Sequence, residues 1–148
     1  MPITVDEREQ FLAEPHLGVL PVASGDPGQA PVTVPIWYAY EPGGEVWITT
    51  DRASRKYGLI QAAGRFTMLA NQLTPPRYVS VEGEVVYAEK TTQEELRAMA
   101  ARYLPAEQVD WYVRHAAEAF TTELMTVRTR PRRWLSADLQ APPEGNAP

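Results

Sequence analysis

The sequence predicts an α+β fold, a mainly antiparallel sheet or barrel with helices set around it. Three observations carry this. Six segments rich in β-branched and aromatic residues are separated by turn-forming clusters. Helical patterns interrupt them at only three points, so strands and helices do not alternate as in a parallel βαβ fold. Pro21 and Pro35 fall inside strand-like runs, where a missing N–H confines them to edges, bulges or strand ends. Interrupted strands suit a barrel.

The elements follow in order. Thr4 with Glu7 has the capping-box spacing, and Phe11 and Leu12 supply a short apolar face, so a helix is expected from Thr4 to Ala13. His16 to Ala23 reads as a strand, and the SGDPGQA segment as the turn that ends it. Pro31 to Tyr40, the turn EPGG and Glu45 to Thr50 read as a hairpin. A helix opens near Asp51 to Ser54 and closes at Gly64, a residue suited to the position after a helix end. Arg65 to Gln72 is the next strand. From Arg77 to Glu89 the pattern alternates, with Val79 and Val81 on one side and Tyr78, Ser80 and Glu82 on the other. Gly83 reads as a bulge that reverses those faces.

Thr92 with Glu95 repeats the capping-box spacing and opens a helix to about Leu104. Pro105 interrupts, and a second helix is expected from Ala106 to Phe120. Leu96, Met99, Ala100, Tyr103 and Leu104 share one stripe, as do Val109, Tyr112, Val113, Ala116 and Phe120. TTELMTVRTR returns as the last strand. Residues 1–140 are expected to form one domain, followed by a tail of disordered composition over 141–148.

Composition bounds the function. The chain has 148 residues, no Cys, 44% apolar side chains and a net charge of 14 − 19 = −5. A length near 150 supports a sizeable core without disulfides or metal staples. The absence of Cys excludes a thiol nucleophile and thiolate metal ligation. His16 and His115 are 99 positions apart with no carboxylate cluster at metal spacing, so no metal site is expected, and both His read as structural or surface residues. An acidic chain is poorly suited to duplex nucleic acid. The N-terminus carries acids where a signal peptide is basic, and no apolar run reaches the roughly 20 residues that span a bilayer. A soluble cytoplasmic protein is expected. No G-x-S-x-G, G-x-G-x-x-G or Walker motif occurs.

Local charge departs from the total. Arg52 to Val81 contains no acid but holds Arg52, Arg55, Lys56, Arg65 and Arg77; Leu124 to Ala137 contains none but holds Arg128, Arg130, Arg132 and Arg133. Nine of fourteen cations therefore sit in two acid-free stretches. They read either as a site for a small anion or as partners of distant Asp and Glu. Within the first stretch, Thr49 and Thr50 end a strand, and Ser54, Arg55 and Lys56 begin a helix. Hydroxyls, free N–H groups and the positive helix end converge there with two cations, an arrangement that binds phosphate. The plain alternative is that Thr50, Asp51 or Ser54 caps the helix while Arg55 and Lys56 face water.

The order and spacing of these segments give a family resemblance. The parts are a P-x-W-Y strand (Pro35 to Tyr38), the Thr49-Thr50 strand end, the Ser54-Arg55-Lys56 helix start, Gly64-Arg65 opening the next strand, VSVEG from Val79, and the late Arg132-Arg133-Trp134. From Thr4 to Leu139 the chain resembles the flavin-binding split β-barrel superfamily of pyridoxamine-phosphate-oxidase-like proteins, within it the flavin/deazaflavin oxidoreductases common in actinobacteria. The resemblance implies a six-stranded antiparallel split β-barrel with peripheral helices. It also implies a homodimer with a cofactor site at each side of the interface, holding FMN or the deazaflavin coenzyme F-420.

Carried over residue by residue, Ser54, Arg55 and Lys56 hold the cofactor phosphate, with Thr49 and Thr50 beside it. Pro35, Ile36, Trp37 and Tyr38 line the isoalloxazine, largely through backbone groups. Arg132 and Trp134 approach the ring or tail from the partner subunit. Two departures stand out. Many relatives have Asn where this chain has Leu59, and the C-terminal Arg and His signature of true pyridoxamine-phosphate oxidases is missing. Vitamin B6 oxidation therefore does not follow from the fold. Four Arg between Arg128 and Arg133 exceed what one phosphate requires and favour the deazaflavin with its oligoglutamate tail over FMN.

The implied activity is hydride transfer between the bound cofactor and a small conjugated substrate, with the hard chemistry supplied by the cofactor. No catalytic side chain is assigned. Tyr38, Tyr40 and Tyr78 are candidate proton donors that packing explains equally well. Trp37, Trp47 and Met68 suit either an apolar acceptor or a core. The alternative function is a noncatalytic protein of the same fold that binds flavin, haem or another anionic ligand.

Overall fold

A computed structural model describes residues 3–119 and 123–140. The elements are α1 (Val5–Ala13), β1 (Gly18–Val22), β2 (Val32–Ile36), β3 (Val46–Asp51), α2 (Arg55–Ala63), β4 (Arg65–Gln72), β5 (Arg77–Lys90), α3 (Gln93–Tyr103), α4 (Ala106–His115), a 3-10 turn over Ala116–Ala119, and β6 (Leu124–Asp138). The expected tail at 141–148 and the helix end at Phe120 lie outside the described residues. Within them, α4 stops at His115 and tightens into the 3-10 turn.

Each helix start is built as the sequence implies. Thr4 caps α1 by accepting the Glu7 N–H at 3.1 Å. Thr92 and Glu95 form a full capping box on α3, each side chain bonding the other's backbone N–H. Ser54 caps α2, and Gly64 ends it with φ +70°, a left-handed conformation that costs glycine nothing. No described helix is long and apolar enough to cross a membrane.

The six strands form one antiparallel sheet in the order β2-β1-β4-β5-β6-β3. Its two ends meet. Ala39, just past β2, and Trp47 in β3 exchange both backbone hydrogen bonds, at 2.9 and 3.0 Å. The sheet thus curls into a split barrel whose margins touch at one bridge.

The expected hairpin of residues 31–40 with 45–50 is reduced to that bridge. β2 pairs with β1, from Gly18↔Ile36 to Val22↔Val32. β3 runs instead along β6, from Val46↔Thr129 to Asp51↔Leu124. The tight turn at EPGG is a local signal, whereas β6 offers β3 a six-residue ladder that buries Val46 and Ile48. Pro21 lies within β1, and its missing N–H accounts for β1 meeting β4 only at Val19↔Leu69.

The bulge at Gly83 is present, but its extra residue is on the other strand. Glu82 pairs with Arg133 and Gly83 with Pro131, leaving Arg132 unpaired. The faces of β6 reverse there. Those of β5 do not, since Gly83 and Val85 stay on the side of Val79 and Val81, and the β5 irregularity falls at Val86. Gly83 serves close approach, because a Cβ built on it would overlap the Thr129 side chain. With its bulge, β6 continues past Arg130, where sequence ended the strand, to Asp138.

Two apolar clusters result. The barrel core contains Leu12, Leu20, Tyr38, Ile48, Ile60 and Met68 among others, all fully buried. Met68 is a core residue and faces no acceptor site. Leu96, Ala100, Val109, Val113 and Ala116 form a second cluster between α3 and α4, which make a helical arm.

Candidate functional site

The bridge at Ala39↔Trp47 fixes the register of the closing margins. Continued antiparallel, it sets Trp37 opposite Thr49 and Ile36 opposite Thr50. No ladder continues there beyond the bridge: β3 is paired on its other edge to β6, and β2 to β1. The predicted segment Pro35 to Tyr38 and the predicted pair Thr49 and Thr50 therefore flank one split.

At the end of that split α2 begins. Thr50 is buried, and its hydroxyl lies 3.1 Å from that of Ser54. Ser54 also accepts the Tyr57 N–H at 3.2 Å, so its cap role is realised as the plain alternative foresaw. Asp51 closes the preceding turn by accepting the Ala53 N–H at 2.9 Å. Arg55 reaches Gln29 Oε1 at 3.4 Å.

Pairing sorts the nine cations. Arg52 meets Glu123, Arg65 and Arg133 meet Glu82, Arg77 meets Asp138, Arg128 meets Glu95 and Arg132 meets Glu84, at 2.8–3.5 Å. For these six, pairing across the fold is the answer. Arg55, Lys56 and Arg130 have no carboxylate partner among the described residues. Two of those three adjoin at the start of α2, and α2 has no acid in its first turn. The other three helices each have at least one there.

In the strand segment, Tyr38 is engaged throughout. Its ring is buried and its hydroxyl donates to the Leu12 carbonyl at 2.6 Å. Burial pushes that phenol well above its ordinary value. Its N–H donates to Tyr103 Oη at 3.2 Å, and its carbonyl accepts from Arg102 Nε at 2.7 Å. Trp37 stacks on Tyr103 with ring centroids 4.9 Å apart and 11° between planes. The N–H and C=O of Trp37 have no protein partner among the described residues.

Tyr40 donates to Glu9 at 2.8 Å, and burial followed by that hydrogen bond pushes its pKa up to about 12. Tyr78 lies on the outer face of β5. His16 stacks on Phe11, and His115 bonds the Trp111 carbonyl while stacking on its ring.

Arg132 and Trp134 are not brought to the split within one protomer. Thr49 pairs with Thr126 of β6, and Trp134 lies eight residues further along the strand, a contour of at most roughly 26 Å at about 3.3 Å per residue. Arg132 lines a cleft of about 310 Å³ with Arg65, Glu82, Glu84 and Arg133. Trp134 packs edge-on against Tyr40, with the Arg8 guanidinium 4.4 Å above its ring. A neighbouring cleft of about 290 Å³ holds Trp134, Tyr40, Glu9 and the unpaired Arg130.

Sequence reading missed Arg102 altogether and placed Tyr103 only in an apolar stripe. A helix-end Arg is an available but weak signal, since it is also what any helix C-terminus favours. It also missed the Glu95–Arg128 link at 2.8 Å, with Arg128 lying 4.9 Å above the Trp47 ring. Burial alone would raise the Glu95 carboxyl, but hydrogen bonds from Thr92 and Arg128 outweigh it and hold it below its ordinary value.

Comparison with known proteins bears on the fold. Residues 4–130 match the family described as pyridoxamine 5'-phosphate oxidase. No curated protein matches the sequence. Among solved structures, an F-420 reductase is 22% identical with a TM-score of 0.65, over 86% of this chain and 94% of that one. The conserved hypothetical protein Rv2991 from Mycobacterium tuberculosis is 23% identical with a TM-score of 0.66, over 92% and 85%. General Stress Protein 26 from Bacillus anthracis is 15% identical with a TM-score of 0.62, over 92% and 95%. At these identities the likeness is one of fold.

Proposed function

The chain belongs to the pyridoxamine 5'-phosphate oxidase family, and from that membership and the geometry of the split we propose an oxidoreductase that binds a flavin-type cofactor. The cofactor is the deazaflavin coenzyme F-420 or FMN, and the substrate a small conjugated molecule. The observation that carries the reading is the cation pair Arg55 and Lys56, unneutralised by any described carboxylate at the start of a helix bordering the split. This donor set fits a phosphate: two cations and the N-terminal N–H groups of α2. The open Trp37 peptide fits the polar edge of a ring. When bound, the cofactor supplies the hydride chemistry. Lys56 and Arg55 hold the phosphate, Ser54 and Thr50 fix the turn that aims them, and Ile36 and Trp37 border the ring and exclude water. F-420 reductase as a structural neighbour and the surplus Arg130 support the deazaflavin.

The proposal includes a homodimer. In their own protomer Arg132 pairs with Glu84 and Trp134 packs on Tyr40, beyond the Ala39–Trp47 bridge that ends the split. Leu135 on β6, and Leu17 and Leu139 just outside β1 and β6, are 64%, 59% and 63% exposed, exposed apolar residues of the kind that enrich interfaces.

Hydroxyls of both Tyr38 and Tyr40 are committed to internal acceptors. That favours, as a second reading, a noncatalytic binder of the same cofactor. Purified protein titrated separately with FMN and F-420 tests the shared part, with micromolar or tighter binding of one of them expected. Binding of neither refutes both readings. Hydride transfer to candidate enones in stopped flow then separates enzyme from binder.

A further inference from the structure

We propose that Arg102 and Tyr103, at the end of α3, are positioning residues that set the Trp37–Tyr38 backbone for the cofactor ring; this rests on the reading of the split as the cofactor site. Between Ile36, paired with Gly18, and Ala39, paired with Trp47, the chain has no strand neighbour. Backbone groups shielded from water require partners, and for Tyr38 they come from α3. Its N–H donates to Tyr103 Oη, and the Tyr103 hydroxyl lies 3.0 Å from its carbonyl and 2.7 Å from that of His16. Arg102 Nε donates to the Tyr38 carbonyl at 2.7 Å. The helix end does the work of a missing strand.

The same guanidinium ties the segment to a second element. Its remaining nitrogens donate to the carbonyls of Ala13 at 2.6 Å and Glu14 at 2.7 Å, at the C-terminus of α1. A cation is favoured there, and Arg102 forms no ion pair among the described residues. Tyr103 adds the ring stack on Trp37. With both Tyr38 groups held, Trp37 presents the one open N–H and C=O of this stretch to the split. α3 and α4 pack on their own cluster, whose Tyr112 also lies 5.7 Å from Trp37 between ring centroids. Holding such a peptide in place before binding lowers the ordering cost of the complex.

Tyr103→Phe keeps the ring and removes the hydroxyl. In ligand-free protein, amide exchange at Tyr38 is expected to speed about tenfold while Ile48 is unchanged, and the Kd for FMN or F-420, whichever the wild type binds, to rise about tenfold. Val113→Ala loosens the arm's own cluster without touching the segment, and should leave both readouts within about twofold. Unchanged Tyr38 exchange or unchanged affinity in Tyr103→Phe overturns the inference. An equal effect in Val113→Ala does so too, since arm stability would then explain it. A wild type that binds Kd-measurably to neither cofactor refutes the reading of the site and this inference with it, a result distinct from a wild type that binds and a variant that binds alike.

Discussion

Removing Lys56 separates affinity from stability. Its ammonium has no carboxylate partner among the described residues and is only half-buried, so Lys56→Ala strands no opposite charge. Surface changes of that kind stay within about 0.5 kcal/mol of wild-type stability. If the ammonium grips a phosphate, the loss on binding is that of a hydrogen bond between charged groups, about 1.5 to 3 kcal/mol, or roughly ten- to 150-fold in Kd. Isothermal titration with FMN and with F-420, beside thermal melts of the free protein, reads both quantities. Arg97→Ala is the control, because it deletes the same charge from an exposed pair with Asp110 on the helical arm. A Kd unchanged in Lys56→Ala, or raised equally in Arg97→Ala, would refute the phosphate assignment; the second outcome would mean that net charge alone was being read.

Three further outcomes follow from the geometry. Gly83→Ala forces a Cβ into Thr129, whose hydroxyl donates to the Val46 carbonyl at 3.0 Å; overpacking plus that bond gives a loss of about 2 to 4 kcal/mol in urea denaturation, and a loss under about 1 kcal/mol would show that β5 and β6 relax freely. The folded Glu95 carboxyl is held below its ordinary 4.5, so its contribution is full above that value and disappears as pH falls through the lower folded one. The stability gap between wild type and Glu95→Gln, about 1.5 to 3 kcal/mol for a charged hydrogen bond, should therefore be constant at neutral pH and close in acid; a gap that persists in acid contradicts the ion pair. Leu135→Glu on the exposed outer face should convert a dimer to monomer in sedimentation and weaken cofactor binding together, whereas a wild-type monomer would end the composite site.

Much of the fold was legible because its signals are local. Thr4, Ser54 and Thr92 cap helices where their side chains announce it, and Gly64 stops α2 as a residue free to adopt positive φ. The alternation of Val79 and Val81 against Tyr78 and Ser80 gave the faces of β5. What failed was non-local. The turn at EPGG promises a hairpin, and nothing local shows that β3 ladders instead to Leu124–Thr129 of β6, far along the chain. Gly83 announces a bulge, but the extra residue is Arg132 on the facing strand, forty-nine positions away. Arg102 carries only the weak signal of a helix-end cation, since its partners are main-chain carbonyls and carbonyls leave no mark in a sequence.

The charge pattern shows the same division and still points somewhere. Acid-free stretches count only neighbours along the chain, whereas a sheet supplies neighbours across it. Glu82 lies opposite Arg133 in the ladder, and Glu84 beside the bulged Arg132, so strand cations are neutralised by strand acids that local counting cannot see. A helix start at the margin of a split barrel has no such neighbour. Arg55 and Lys56 also sit at the positive end of the α2 dipole, where each cation is unfavourable by about 0.3 to 1 kcal/mol. Three helices of this chain place acids at that position and α2 places two cations. Within the described fold Arg55 meets only the neutral Gln29, and the nearest acid along the chain, Asp51, lies before the cap and bonds the Ala53 N–H. A bound dianion would reverse its sign, which is why the cofactor reading stands on Arg55 and Lys56.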